Sequence, residues 1–146
     1  MPTVQWRQIL ISGCFAGFVW AFLSIPLLVF LGGDTIYAVP RPLVTLSRVA
    51  GFTLNIAAGV WAMWLYAVIR PRYASGWKAA AIAGFSWWLM PTITTWQWAD
   101  IGFLSLRDLG WLIAASLPIL VAIASAAARS YETATANHAN AKRAPQ

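Results

Sequence analysis

The sequence predicts an all-α integral membrane protein, an antiparallel four-helix bundle with both termini on the cytoplasmic side (N-in/C-in). Three observations carry that expectation: a composition too apolar for water, charges gathered into narrow bands, and an uneven share of Lys and Arg between alternate bands. Of 146 residues, 60% are apolar and only 10% charged, whereas soluble domains run at about 45–50% and about 25%. The charges leave four gaps, residues 8–33, 49–69, 79–99 and 109–128, each at least 20 positions long and strongly apolar. A hydrocarbon core of about 30 Å takes about 20 helical residues to cross. The gaps are continuous apolar runs without the alternation of barrel strands, so helices rather than strands should fill them.

Helix 1 is expected near residues 8–32. It ends at Gly32-Gly33; its apolar run is too long for a cleaved leader, and no small-x-small cleavage site follows at Gly32-Gly33-Asp34. The loop after it runs through Pro40-Arg41-Pro42 to about Ser47, a stretch expected to be non-helical because proline removes a donor and blocks the preceding residue. Helix 2, near 48–70, stops at Arg70-Pro71. A tight turn then leads to Ser75, a suitable N-cap for helix 3 over 76–98. Ser105-Leu106-Arg107-Asp108 has capping-box spacing and opens helix 4 over 106–129, with Asp108 near the positive end of the helix dipole. These helices make one transmembrane domain, 1–130. The polar, Ala-rich residues 131–146 should form a cytoplasmic tail, either a frayed continuation of helix 4 or disordered.

The N-terminus, second loop and C-terminal tail hold seven Lys and Arg against three in the first and third loops, which places the former on the cytoplasmic side. The net charge of +6 is then a set of membrane anchors, with Arg70, Arg72 and Lys78 at headgroup depth. The lipid bilayer is the expected partner, and no nucleic-acid partner is needed.

Two groups of residues stand out along the spans. Gly13 and Gly17, Gly51 and Gly59, and Gly84 have the small-residue spacing that lets membrane helices approach closely, where packing rather than water exclusion must hold them together. Trp20, Trp61, Trp87 and Trp88 near midspan would fill the space opposite such residues. Arg48, Asn55 and Tyr66 share one helix 2 face with Gly51 and Gly59. Asn55 could bond across a packed seam, or Arg48 and Asn55 could line a polar mouth on the non-cytoplasmic side with Thr94 and Asp100. Threonines such as Thr92, Thr94 and Thr95 can also turn inward and bond their own backbone near Pro91.

What the spans lack excludes whole classes of function. The sole histidine, His138, lies in the tail, Cys14 is the sole cysteine and is expected to be small, buried filling, and no Asp or Glu lies inside a span. Haem ligation, dithiol chemistry, metal binding, proton coupling and general acid–base catalysis therefore lack their residues, and no cofactor is expected.

The segment Trp64-Leu65-Tyr66-Ala67-Val68-Ile69-Arg70-Pro71-Arg72-Tyr73, followed by Gly76-Trp77-Lys78 and the Gly84 to Trp88 stretch, resembles the central hairpin of a group of small uncharacterised bacterial four-span membrane proteins. The resemblance implies a four-span fold and a bacterial inner-membrane location, and no activity. The membrane glutathione-transferase-like group, also four-span, would require a Glu beside Arg48 and Asn55 on helix 2, and this chain has none. The leading expectation is a non-enzymatic multi-pass protein, structural or accessory, associating with itself or with another membrane protein. The alternative is a small permease or ligand-binding module at the Arg48, Asn55, Thr94 and Asp100 mouth.

Overall fold

A computed structural model describes residues 5–31, 41–73, 76–100 and 105–143, with side chains at all of these except 28–31, 41–48, 94, 97–100 and 138–143. The described residues form four α-helices and no strand: α1 (Trp6–Leu31), α2 (Arg41–Ile69), α3 (Gly76–Asp100) and α4 (Leu106–Arg143), with a 3-10 turn at Arg70–Arg72 between α2 and α3.

Two boundaries depart from the sequence expectation. Helix α2 begins at Arg41 rather than near 48, so Pro42 does not keep the chain out of a helix, while Pro40 and the rest of the first loop lie outside the described residues. Pro42 stands in the first turn, where its missing N–H has no intrahelical acceptor to serve and its φ is already helical. Helix α4 continues beyond Arg129 to Arg143. Alanine supplies high helix propensity there, and the hydroxyls fold back onto their own helix: Ser130 to the Ala126 carbonyl (3.2 Å), Thr133 to Arg129 (3.0 Å) and Thr135 to Tyr131 (2.8 Å).

Other local signals are realised as written. The Asp108 N–H donates to Ser105 Oγ (3.1 Å), while the Ser105 hydroxyl donates to the Asp108 carboxylate (2.7 Å), closing a reciprocal cap at the start of α4. Thr92 and Thr95 donate to the Trp88 and Pro91 carbonyls (2.8 and 2.6 Å). The Ser75 cap lies outside the described residues.

Three stretches are long and apolar enough to cross a membrane: Trp6–Leu27, Val49–Arg72 and Leu106–Asn137, with mean hydropathies of 1.9, 1.6 and 2.1. Helix α3, at 25 residues, has the length. Its Trp, Thr, Ser and Pro content leaves it less apolar than the other three.

Packing is inverted relative to a soluble domain. The buried positions are mostly small, with Ala16, Ala62, Ala79, Ala80, Ala83, Ala127 and Ala128 surrounding Ile9, Trp20, Met63, Tyr66, Trp87 and Leu120, so all four helices feed one core. Large apolar side chains point outward, among them Ile11, Phe15, Phe22, Leu54, Ile93 and Trp111, each more than half exposed. No more than 39% of any candidate span is buried within the molecule. In water such a surface would be a contiguous apolar patch of a size soluble monomers avoid.

Glycines set the closest helix contacts. A Cβ on Gly13 would lie 2.5 Å from the Val60 Cα, and one on Gly17 the same distance from the Asn55 carbonyl oxygen and the Ile56 Cα. Contacts thus run in opposite order along α1 and α2. On α3, a Cβ at Gly84 would come within 2.9 Å of the Val121 Cα, and the Trp88 indole N–H reaches the Ile113 carbonyl and Ser116 Oγ (3.0 and 3.1 Å), again in reversed order against α4. Gly51 differs, with no described atom within 4 Å of its would-be Cβ. Cys14 is exposed rather than buried, because the inward stripe of α1 passes through Ile9, Ser12, Gly13, Ala16, Gly17 and Trp20 and leaves position 14 on the outer face.

Candidate functional site

The most connected polar cluster of the described residues sits where α2 ends, α3 begins and α4 runs past its apolar stretch. Tyr66 and Arg70, four residues apart, share one face of the last turns of α2. Gly76 opens α3 beside them, and the continuation of α4 carries Glu132 across. The Tyr66 hydroxyl donates to Glu132 Oε1 at 2.6 Å, and Arg70 Nε donates to the same oxygen at 2.6 Å. The guanidinium also donates through Nη1 to the Tyr73 carbonyl at 3.0 Å, tying the ion pair to the turn itself. Tyr66 is 1% exposed, and the Tyr131 ring stands edge-on to it with centroids 6.0 Å apart.

Gly76 is required by this cluster rather than by its own backbone angles. A Cβ there would lie 2.7 Å from Glu132 Oε1, 3.1 Å from Arg70 Nε and 3.3 Å from the Tyr66 hydroxyl. The closest atom belongs to the flexible Glu132 side chain, so Gly76→Ala is expected to displace the carboxylate rather than separate helices. The cost should be about 1 kcal/mol, near that of one hydrogen bond, measured as a lower thermal midpoint in detergent.

A cavity of about 200 Å³ lies against this cluster, bordered by Trp77 and Ala80 of α3 and by Ser125, Ala128 and Arg129 of α4. A second, more open groove of about 390 Å³ runs between α1 and α4, past Ser12, Phe15, Ala127 and Tyr131. Among the described residues no three of His, Cys, Asp and Glu gather as metal ligands would. The cluster pairs one carboxylate with a guanidinium and a phenol. Chemically, that arrangement holds three chain segments together.

The residues singled out from the sequence fall differently. The side chains of Arg48, Thr94 and Asp100 lie outside the described residues. Asn55 is half-buried, with its backbone against Gly17 in the α1–α2 contact. Gly13, Gly17, Gly59 and Gly84 all stand at close backbone approaches, and Gly51 does not. Of the three headgroup anchors, Arg72 and Lys78 are exposed, whereas Arg70 turns to Glu132.

Sequence reasoning did not bring Glu132 to Tyr66. A signal was present: the buried α4 positions Leu120, Ala124, Ala127 and Ala128 continue at helical spacing to Tyr131, two residues beyond the charge at Arg129. No family model, curated protein or solved structure matches the chain.

Proposed function

We propose that the chain is a multi-pass protein of a bacterial cytoplasmic membrane, an antiparallel four-span bundle with both termini inside, serving as a non-enzymatic structural or accessory component. One observation carries the reading: an interior of small residues inside an apolar exterior, the distribution expected when lipid, not water, is the solvent. Depth supports α3 as the fourth span. Gly84 and Trp88 pack against Val121, Ile113 and Ser116, in the middle of the apolar length of α4, so α3 shares the depth of a helix that crosses. At Asn55 the α1 backbone is in contact with α2, which favours a packed seam over a permease path at that point.

Parity makes the test decisive. With four spans Gln146 returns to the side of the turn at residue 73, and with three the two lie on opposite faces. A reporter that fluoresces only in the cytoplasm, inserted after Tyr73 or fused at Gln146, is expected to fluoresce at both positions. An exported reporter at Gln146 would overturn the four-span, C-in reading.

A further inference from the structure

Resting on the membrane-spanning reading above, we infer that the cavity between the start of α3 and the end of the apolar length of α4 binds the phosphodiester headgroup of an anionic phospholipid. Its floor is made small by Gly76, Ala80 and Ala128, and its walls are Trp77 and Arg129. Trp77 is 68% exposed, and its amphipathic ring suits headgroup depth. The Lys78 ammonium lies 5.9 Å from the centroid of that ring. Arg129 thus borders an opening of about 200 Å³, and Lys78, exposed beside the Trp77 wall, places a second cation next to it.

Neither cation has a carboxylate within ion-pair distance among the described residues, where the ion pair is Arg70 with Glu132. Asp108, the other acid whose side chain is described, belongs to the cap at the opposite end of α4. Glu132 stands on the cavity rim, but the Arg70 guanidinium and the Tyr66 hydroxyl both hold its Oε1. The opening is therefore net positive, with Ser125, whose hydroxyl donates to the Val121 carbonyl, adding an oxygen to its lining. Because this end lies beside the apolar outer surface, a ligand with a phosphate at the mouth and acyl chains along the helices matches both parts. A free anion would leave the chain-facing surface uncovered.

The test uses the full chain extracted in mild detergent, with retained lipid counted by native mass spectrometry during titration with phosphatidylglycerol or phosphatidylcholine. Phosphatidylglycerol should be preferred, and each of Lys78→Gln and Arg129→Gln should weaken its retention about fivefold, the effect of removing one cation near an anionic surface. Arg7→Gln, at the start of α1 and not among the residues that border the cavity, should leave retention unchanged. Equal retention of the two lipids by wild type, or an equal loss in all three variants, would overturn the site. Millimolar inorganic phosphate should not displace the lipid, and displacement would reassign the site to free anions. Failure of the membrane reading shows separately, as wild-type protein extracted from membranes by carbonate without detergent, and would overturn the lipid site with it.

Discussion

Gly17→Ala is expected to lower the stability of the bundle by about 1–3 kcal/mol, the usual range for forcing added volume into a packed contact. The added Cβ would stand 2.5 Å from the Asn55 carbonyl oxygen and the Ile56 Cα. Both are backbone atoms of the facing helix, so no side-chain rotation relieves the clash and α1 must move away from α2. Gly59→Ala acts on the same contact from the other side, where its Cβ would meet the Gly13 carbonyl oxygen at 2.5 Å and the Gly17 nitrogen at 2.6 Å. Once the helices have separated for one substitution the second costs little, and the double variant should fall short of additivity. Gly51→Ala supplies the control on the same helix, with open space around the added methyl. Its thermal midpoint in detergent should match or exceed that of the wild type, since alanine is the better helix former. A Gly17→Ala variant as stable as Gly51→Ala would show that the glycine seam does not hold α1 to α2.

The contrast among these glycines shows what the sequence could and could not reveal. Small-residue spacing marks Gly13, Gly17, Gly51 and Gly59 alike, because spacing reports a shared face and not what lies opposite. Only the partner's position separates Gly51 from the rest. Features that close within one turn were legible: the Ser105–Asp108 cap and the Thr92 and Thr95 back-bonds each need only three or four residues. Boundaries read from charge and proline alone were less so. Arg129 marks where the apolar length of α4 ends, but helix propensity and hydroxyl back-bonding carry the helix on to Arg143. The Tyr66–Arg70–Glu132 cluster was least legible, since Glu132 lies 66 positions from Tyr66 and meets it only after α3 has turned back. Arg70, read alone, is a basic residue at a helix end and a natural headgroup anchor. Its role changes when an acid arrives from another helix.

Glu132→Ala should release that cluster, at a cost of about 2 kcal/mol dominated by the Tyr66 hydroxyl bond to a charged acceptor. The ion pair itself adds little: the Arg70 and Glu132 side chains are 35% and 43% exposed, and solvent-screened pairs contribute about 0–1 kcal/mol. Tyr66, at 1% exposed, cannot turn its hydroxyl freely to water, so losing the acceptor weighs more than losing the charge. Glu132→Gln keeps an acceptor oxygen and should cost about half as much. A double-mutant cycle of Tyr66→Phe with Glu132→Ala should return a coupling of about 1 kcal/mol or more. Hydrogen exchange gives the local readout: amides of 130–137 on α4 should exchange faster in Glu132→Ala while those of 112–124 keep their protection. Unchanged exchange at 130–137 would mean that the Tyr131 contact with Tyr66 alone holds the extension. Gly76 supplies an independent check, because the nearest atom to its would-be Cβ is Glu132 Oε1. Gly76→Ala should therefore destabilise the wild type yet be nearly neutral in the Glu132→Ala background, where that oxygen is gone, the flexible Arg70 side chain can give way, and the Tyr66 hydroxyl at 3.3 Å needs to shift by only a few tenths of an ångström.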